Sequence, residues 1–203
     1  MIKCNVTVCG VIGRDASIRT NKEGKSFLVF PLRVMISATE GKTAPIEVDV
    51  SKGTAGEETG SYRNSTRVEV QGTMFLKHRG DRIYFNLFAS EIGTADVHAA
   101  DAVRGVMEFR GKVGQQIEEK RDKKEQPYTM FSAFSTEKVE DGFEYQWVRF
   151  FCFGKEREAW LQPGVKVEAK GEMSLSAYNG KVNVSCKAEE LAQYVVESSN
   201  LNQ

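Results

Sequence analysis

Two stretches of this chain about a hundred residues apart carry the same pattern, and that repetition limits the folds open to it. Asn5-Val-Thr-Val-Cys-Gly10-Val-Ile-Gly13 alternates apolar and polar residues and ends in a Gly-x-x-Gly step, as does Val106-Met-Glu-Phe-Arg-Gly111-Lys-Val-Gly114. Each runs through a charged connection, 14–25 or 115–126, into an apolar segment around Phe30 or Phe131. Gly10, Gly13 and Phe30 each lie 101 positions before Gly111, Gly114 and Phe131, so this third of the repeat has no gap. Farther on, Arg67-Val-Glu-Val-Gln-Gly72 matches Lys166-Val-Glu-Ala-Lys-Gly171, and the turn at Arg79-Gly80 matches the one at Asn179-Gly180, with the spacing near 100. A solenoid repeats every ~20–50 residues, so a period of this size means two copies of one domain.

Each copy reads as strand, glycine bend, two strands, a connection and a hairpin. Five short strands with one connection between the third and fourth fit a small closed barrel of the oligonucleotide/oligosaccharide-binding (OB) kind better than a sandwich of about seven. The expected fold is therefore all-β: two tandem five-stranded OB barrels over 1–93 and 106–195, a linker at 94–105 that is a brief helix or packed segment, and a frayed tail at 196–203. In the second copy, Lys155 to Leu161 before Pro163-Gly164 has the composition of a short helix whose Trp160 and Leu161 plug a barrel end. The matching span in the first copy, 51–66, is rich in Gly, Ser and Thr and predicts a mobile loop.

Charge narrows the function. Lys and Arg balance Asp and Glu at 28 each, and residues 1–100 hold 13 against 11, so neither half is a basic block. If nucleic acid is the ligand, stacking must outweigh charge, or charges must be segregated by face. Cys4, Cys9, Cys152 and Cys186 are isolated, which reads as free thiols, and His78 and His98 lack partners at ligand spacing and read as surface residues. No metal or cofactor is expected, and no motif of a known catalytic class is present. No apolar run reaches the ~18 residues of a membrane span, and no secretory leader is seen, so the expectation is a cytoplasmic, nucleoid-associated protein.

The densest aromatic stretch is Trp147-Val-Arg-Phe-Phe-Cys-Phe153-Gly-Lys155. By strand alternation Val148, Phe150 and Cys152 face one side, and Trp147, Arg149, Phe151 and Phe153 the other. The second set makes a flat aromatic platform with a cation in it, suited to stacked bases and a phosphate backbone. The same pattern also fits a strand buried on both sides or a protein interface. Alternation adds Tyr128 and Phe134 to this platform from the preceding strand, and the Lys120, Arg121, Lys123 and Lys124 run borders the groove in such a barrel.

Three segments of the second copy resemble the bacterial single-stranded DNA-binding protein family: Trp147 to Lys155, Leu161-Gln-Pro-Gly-Val-Lys-Val-Glu-Ala-Lys-Gly171, and Ser176-Ala-Tyr178-Asn-Gly-Lys181. Val6 to Asp15 resembles the family's first strand and loop. The resemblance implies sequence-independent binding of single-stranded DNA in replication, repair or DNA transfer, with four barrels cooperating and hence a homodimer of this chain. It implies stacking roles for Trp147 and Phe153, a groove cation in Arg149, and a hairpin aromatic in Tyr178 beside Lys181. It also sets up departures. At a spacing of 101, Trp147, Arg149 and Phe153 correspond to Ile46, Val48 and Lys52, so the first copy lacks the platform and offers Phe75, Lys77, Arg79, Arg82 and Tyr84 on its hairpin, with Arg14 and Arg19 in its first loop. The acidic tail by which the family recruits replication and repair proteins is not matched by 198–203. The alternative is an OB-fold protein-interaction or primosome-like accessory module with little direct DNA binding.

Overall fold

The computed structural model describes residues 2–54, 59–154 and 156–194, and the expected tail lies outside them. Eleven strands and two 3-10 turns account for the regular structure there: β1 Ile2–Ile12, β2 Ser17–Thr20, β3 Ser26–Ala38, β4 Thr43–Gly53, β5 Arg67–Arg79, β6 Arg82–Thr94, β7 Ala102–Arg121, β8 Pro127–Val139, β9 Gly142–Phe153, β10 Lys166–Tyr178 and β11 Lys181–Gln193. The single strand β7 covers what β1 and β2 cover separately. The first copy breaks there because Asp15 turns away to accept the Asn64 amide (2.7 Å) and the Arg63 guanidinium (3.1 Å).

Strand pairing closes both halves in the same order. The first barrel runs β1-β5-β6-β4-β3 and back to β1 at Val11↔Arg33. The second runs β7-β10-β11-β9-β8 and back to β7. In each, the one parallel contact joins the third strand to the last (β4–β6, β9–β11). The fold is all-β, two OB barrels in tandem. Both β5 and β10 carry a bulge at the same place, Gln71/Gly72 and Lys170/Gly171. Glycine is required there, since a Cβ would fall on the Phe88 carbonyl in one barrel and the Lys187 carbonyl in the other.

Inward-facing residues at period two fill the cores. Phe131 stacks on Phe150 at 5.2 Å, and Phe109 meets Phe150 edge-on at 4.9 Å. Burial pushes the Cys4 and Cys186 thiols up to about 12, so they behave as core residues rather than nucleophiles.

One expectation is corrected, and two others gain detail. No helix forms among residues 156–165: Leu161 N–H reaches Glu158 O in a single turn, and the stretch before Pro163 is too short to repay helix nucleation. Leu161 is nonetheless buried in the core, and Trp160 packs partly against it. In the first copy the expected loop contains a 3-10 turn, Thr59–Ser61, and Tyr62 stacks on Phe30 at 5.8 Å, closing the barrel as Leu161 does; residues 55–58 lie outside the described ones. Between the barrels β6 runs to Thr94 and β7 starts at Ala102, with turns and no helix between them. Asp101 holds this connection down, accepting Arg67 Nη1 and the Met35 amide.

The barrels share one eleven-stranded sheet through an antiparallel β1–β7 ladder from Ile2↔Phe109 to Cys9↔Ala102. Asn5 pairs with Val106, the residue the repeat equates with it. Each hairpin also reaches the other barrel. The β10 end pairs with β3 at Ser176↔Ser37, and the β5 end sets His78 Nδ1 3.1 Å from Glu144 Oε2 and Arg79 Nη1 3.2 Å from Glu137 Oε2. His78 is therefore a part-buried contact between barrels, not the free surface residue its isolation in the sequence suggested.

Candidate nucleic-acid interface

The burial pattern of β9 alternates as the sequence predicts: Gln146, Val148 and Phe150 point into the barrel, while Trp147 and Phe153 are 50% and 45% exposed. Cross-strand pairs set Phe134 beside Trp147, Ser132 beside Arg149, Met130 beside Phe151 and Tyr128 beside Phe153. Tyr128 and Phe153 stack at 5.1 Å, Phe151 and Phe153 at 6.3 Å, and Phe134 leans on Trp147 at 4.9 Å while meeting Tyr145 edge-on. The rings form a continuous outer row, and Gly114 leaves room for the Trp147 indole. Water is a poor solvent for so much apolar surface, and a cluster of this kind marks a contact surface.

Cations punctuate the row. Arg149 lies mid-row and makes no ion pair among the described residues. On β11, Ser185 and Lys187 flank Arg149 and Phe151, and Lys187 Nζ lies 5.9 Å from the Phe153 ring centre. Lys120, opposite Tyr128, is held charged by its hydrogen bond to Glu118 (2.6 Å) and feels the repulsion of Arg149. Lys120 and Arg121 are strand residues at the end of β7, whereas Lys123 and Lys124 occupy the tight turn that Asp122 Oδ1 closes on the Lys124 and Gln126 amides. Tyr178 and Lys181 face each other across the β10–β11 turn, exposed, and the hairpin carries them to the first barrel, away from the Tyr128 end of the row. Lys155 lies outside the described residues.

The first barrel corrects the sequence alignment by one residue. Phe30 pairs with Val50 as Phe131 pairs with Phe150, so the spacing has already fallen to 100 by β4. Ile46 and Val48 are core residues, and the positions matching Trp147, Arg149, Phe151 and Phe153 are Glu47, Asp49, Ser51 and Gly53. Where β9 presents aromatics and Arg149 outward, β4 presents Glu47 and Asp49, with Arg33 opposite Glu47 on β3. The hairpin alignment moves as well: Gly80 corresponds to Asn179, and Arg79 to Tyr178.

Of the first-copy candidates, Lys77 faces Tyr84 across the strand pair, with Arg82 and Tyr84 exposed. Phe75 packs edge-on to Phe88 at 5.9 Å. Arg79 is spent on Glu137 and His78 O, while Arg14 and Arg19 are exposed near the first-loop end, far along the fold from the β9 row. The sequence reading missed Tyr145, Lys187 and Phe88; Met130 falls on the Tyr128 face as alternation predicts. Alternation back from Trp147 finds Tyr145, but Lys187 and Phe88 join the outer faces only through the parallel β9–β11 and β4–β6 contacts, which leave no local signature.

Comparison with known proteins adds little beyond this geometry. No protein-family model and no curated protein matches the chain. Among solved structures, it is similar to the wild-type single-stranded DNA binding protein from Thermus aquaticus, at 11% identity and a TM-score of 0.49 over 100% of this chain and 97% of that one. The N-terminal domain of PriB from Thermoanaerobacter tencongensis is similar at 16% identity and a TM-score of 0.30, covering 45% of this chain and 97% of that one.

Proposed function

We propose that this protein binds single-stranded DNA without strong sequence preference, through the outer face of β8 and β9. The observation that carries this reading is the solvent-facing row Tyr145, Trp147, Phe134, Phe151, Phe153 and Tyr128, with Arg149, which makes no ion pair among the described residues, inside it. Every base has a π-face, so such a row is indifferent to sequence, and each stacked base contributes about 1–3 kcal/mol. Arg149, Lys187, Lys120 and the Lys123–Lys124 turn supply phosphate contacts along it. Protection of unwound strands in replication, repair or transfer, a nucleoid-associated location, and a homodimer bringing four barrels together belong to the same proposal.

A second reading holds for the first barrel. Glu47 and Asp49 repel phosphate, so the exposed Phe88 and Tyr84 beside them fit contact with protein better than with DNA.

Titrating oligo-dT while following tryptophan emission tests the main reading. Trp147 is half exposed and Trp160 is packed at the core, so quenching reports on the platform, and affinity should fall as salt rises. Absence of binding at low salt would leave the interaction-module reading in its place. Light scattering that returns a monomer at micromolar concentration would remove the four-barrel assembly.

A further inference from the structure

The β8–β9 hairpin runs on past the barrel it belongs to. The β7–β8 ladder ends at Phe134, and β9 meets β11 only from Arg149 onward, so residues 135–146 form a two-stranded ribbon with no third strand beside it. A ribbon of that kind is marginally stable in water. This one carries a further burden, since Glu137 and Glu144 lie directly opposite each other on its inward side, and like charges so placed destabilise a strand pair.

The first barrel supplies what the ribbon lacks. Its β5–β6 hairpin brings Arg79 Nη1 to 3.2 Å from Glu137 Oε2 and His78 Nδ1 to 3.1 Å from Glu144 Oε2, and the Gly80 amide donates to Glu144 Oε1 at 3.4 Å. Behind these contacts a cleft of about 210 Å³ opens between Leu76 of the first barrel and Ser135 of the ribbon, so the arm is fastened at its acidic pair rather than packed along its length. The other side of the ribbon faces solvent. Alternation along β9 puts Phe143 and Tyr145 on the Trp147 side, and Phe143, at 59%, is more exposed than either. The exposed Lys138 is its partner across the ribbon. Barrel closure requires no aromatic ring at such a tip.

We propose that the stacking platform continues along this arm to Phe143 and Lys138, and that the first barrel serves DNA binding by holding the arm in place rather than by touching the strand. Phe143 lies two residues, about 7 Å, beyond Tyr145. It adds one stacked base, and Lys138 meets the neighbouring phosphate. Glu140 and Asp141, in the turn beyond, repel phosphate and end the site there. His78, Arg79 and Gly80 are positioning residues that act through Glu137 and Glu144. This inference rests on the DNA-binding reading above.

The test measures the affinity of two variants and their combination for an oligo-dT long enough to span the whole of β9. Phe143→Ala should bind about tenfold more weakly, the loss of one stacked base. Glu137→Gln together with Glu144→Gln removes two negative charges from a DNA-binding arm, which by charge alone would tighten binding; loss of the fastening should instead weaken it severalfold. With all three changes combined, the losses should fall short of additive, because both variants lose the same contact. Unchanged binding by Phe143→Ala overturns the site on the arm. Unchanged or tighter binding by the glutamine pair, or losses that simply add, overturns the buttress. Phe143 is exposed, and glutamine keeps the shape of glutamate at two part-exposed positions, so neither variant disturbs the barrel cores. Failure of the parent protein to bind oligo-dT at all sinks the platform reading, and the arm with it.

Discussion

The two barrels share a strand order and a bulge but carry their outer aromatics on different strands. In the second barrel they lie on β8 and β9, around Arg149; in the first, β4 presents Glu47 and Asp49, and the exposed rings Tyr84 and Phe88 sit on β6. The inward positions are apolar in both, except at Thr129, Ser135 and Gln146 in the second. Barrel closure thus constrains one side of each strand and leaves the other free to take up opposite chemistry.

The largest effect should fall on what the barrels have in common. Gly72→Ala and Gly171→Ala each drive a Cβ into a carbonyl of the neighbouring strand, and each should cost about 3 kcal/mol or more in chemical denaturation. An unchanged midpoint in either variant would break the equivalence of the bulges. Next comes the platform itself. Trp147→Ala should weaken oligo-dT binding by about 2 kcal/mol, whereas Glu47→Ala at the matching position should leave it unchanged or slightly stronger; equal losses would mean that both barrels bind. A smaller change is expected from Arg149→Gln, about 1 kcal/mol with the salt slope reduced by about 1, and Asp49→Arg should move the slope the opposite way. If neither slope moves, the charge contrast is irrelevant to binding.

The smallest effect concerns the hairpin contact between barrels. The hydrogen bond from His78, then that from the Gly80 amide, holds the Glu144 carboxyl below its usual range. Because the folded value lies below the free one, this contact stabilises the fold above the carboxylate range, and its contribution disappears as pH falls through the lowered value. Thermal midpoints of the parent and Glu144→Gln should differ slightly at about pH 6 and converge by about pH 3. A gap that stays constant across that range would assign the contact no role in acid stability.

Much of this was legible in the sequence because it is local or periodic. The Gly-x-x-Gly steps, the alternation in β9 and the hairpin turns each leave a short-range trace, and they suffice for two OB barrels and for the Trp147 face. The match between copies was not legible, because the first copy has one residue more between Phe30 and Val50 than the second has between Phe131 and Phe150. In a strand a slip of one residue exchanges the faces, so Ile46 stood where Glu47 belongs, and an acidic surface read as an apolar one. The expected helix at 155–161 failed for a different reason, since composition favours a helix but length does not sustain it. The inter-barrel contacts of His78 and the exposed Phe88 depend on closure and on pairing between distant strands, which no window of sequence reports.

The pairing of Asn5 with Val106 has a further consequence. Equivalent strands running antiparallel about that point relate the barrels by a quasi-twofold axis, which reverses the direction of one outer face relative to the other. A nucleic-acid strand has its own direction, from 5′ to 3′. Crossing both faces in a single pass, it would meet the second in the opposite sense from the first. Copies arranged head to tail would not impose this; copies related by a twofold do. The polarity of the ligand, rather than its length, then sets how much of the molecule a single strand can use.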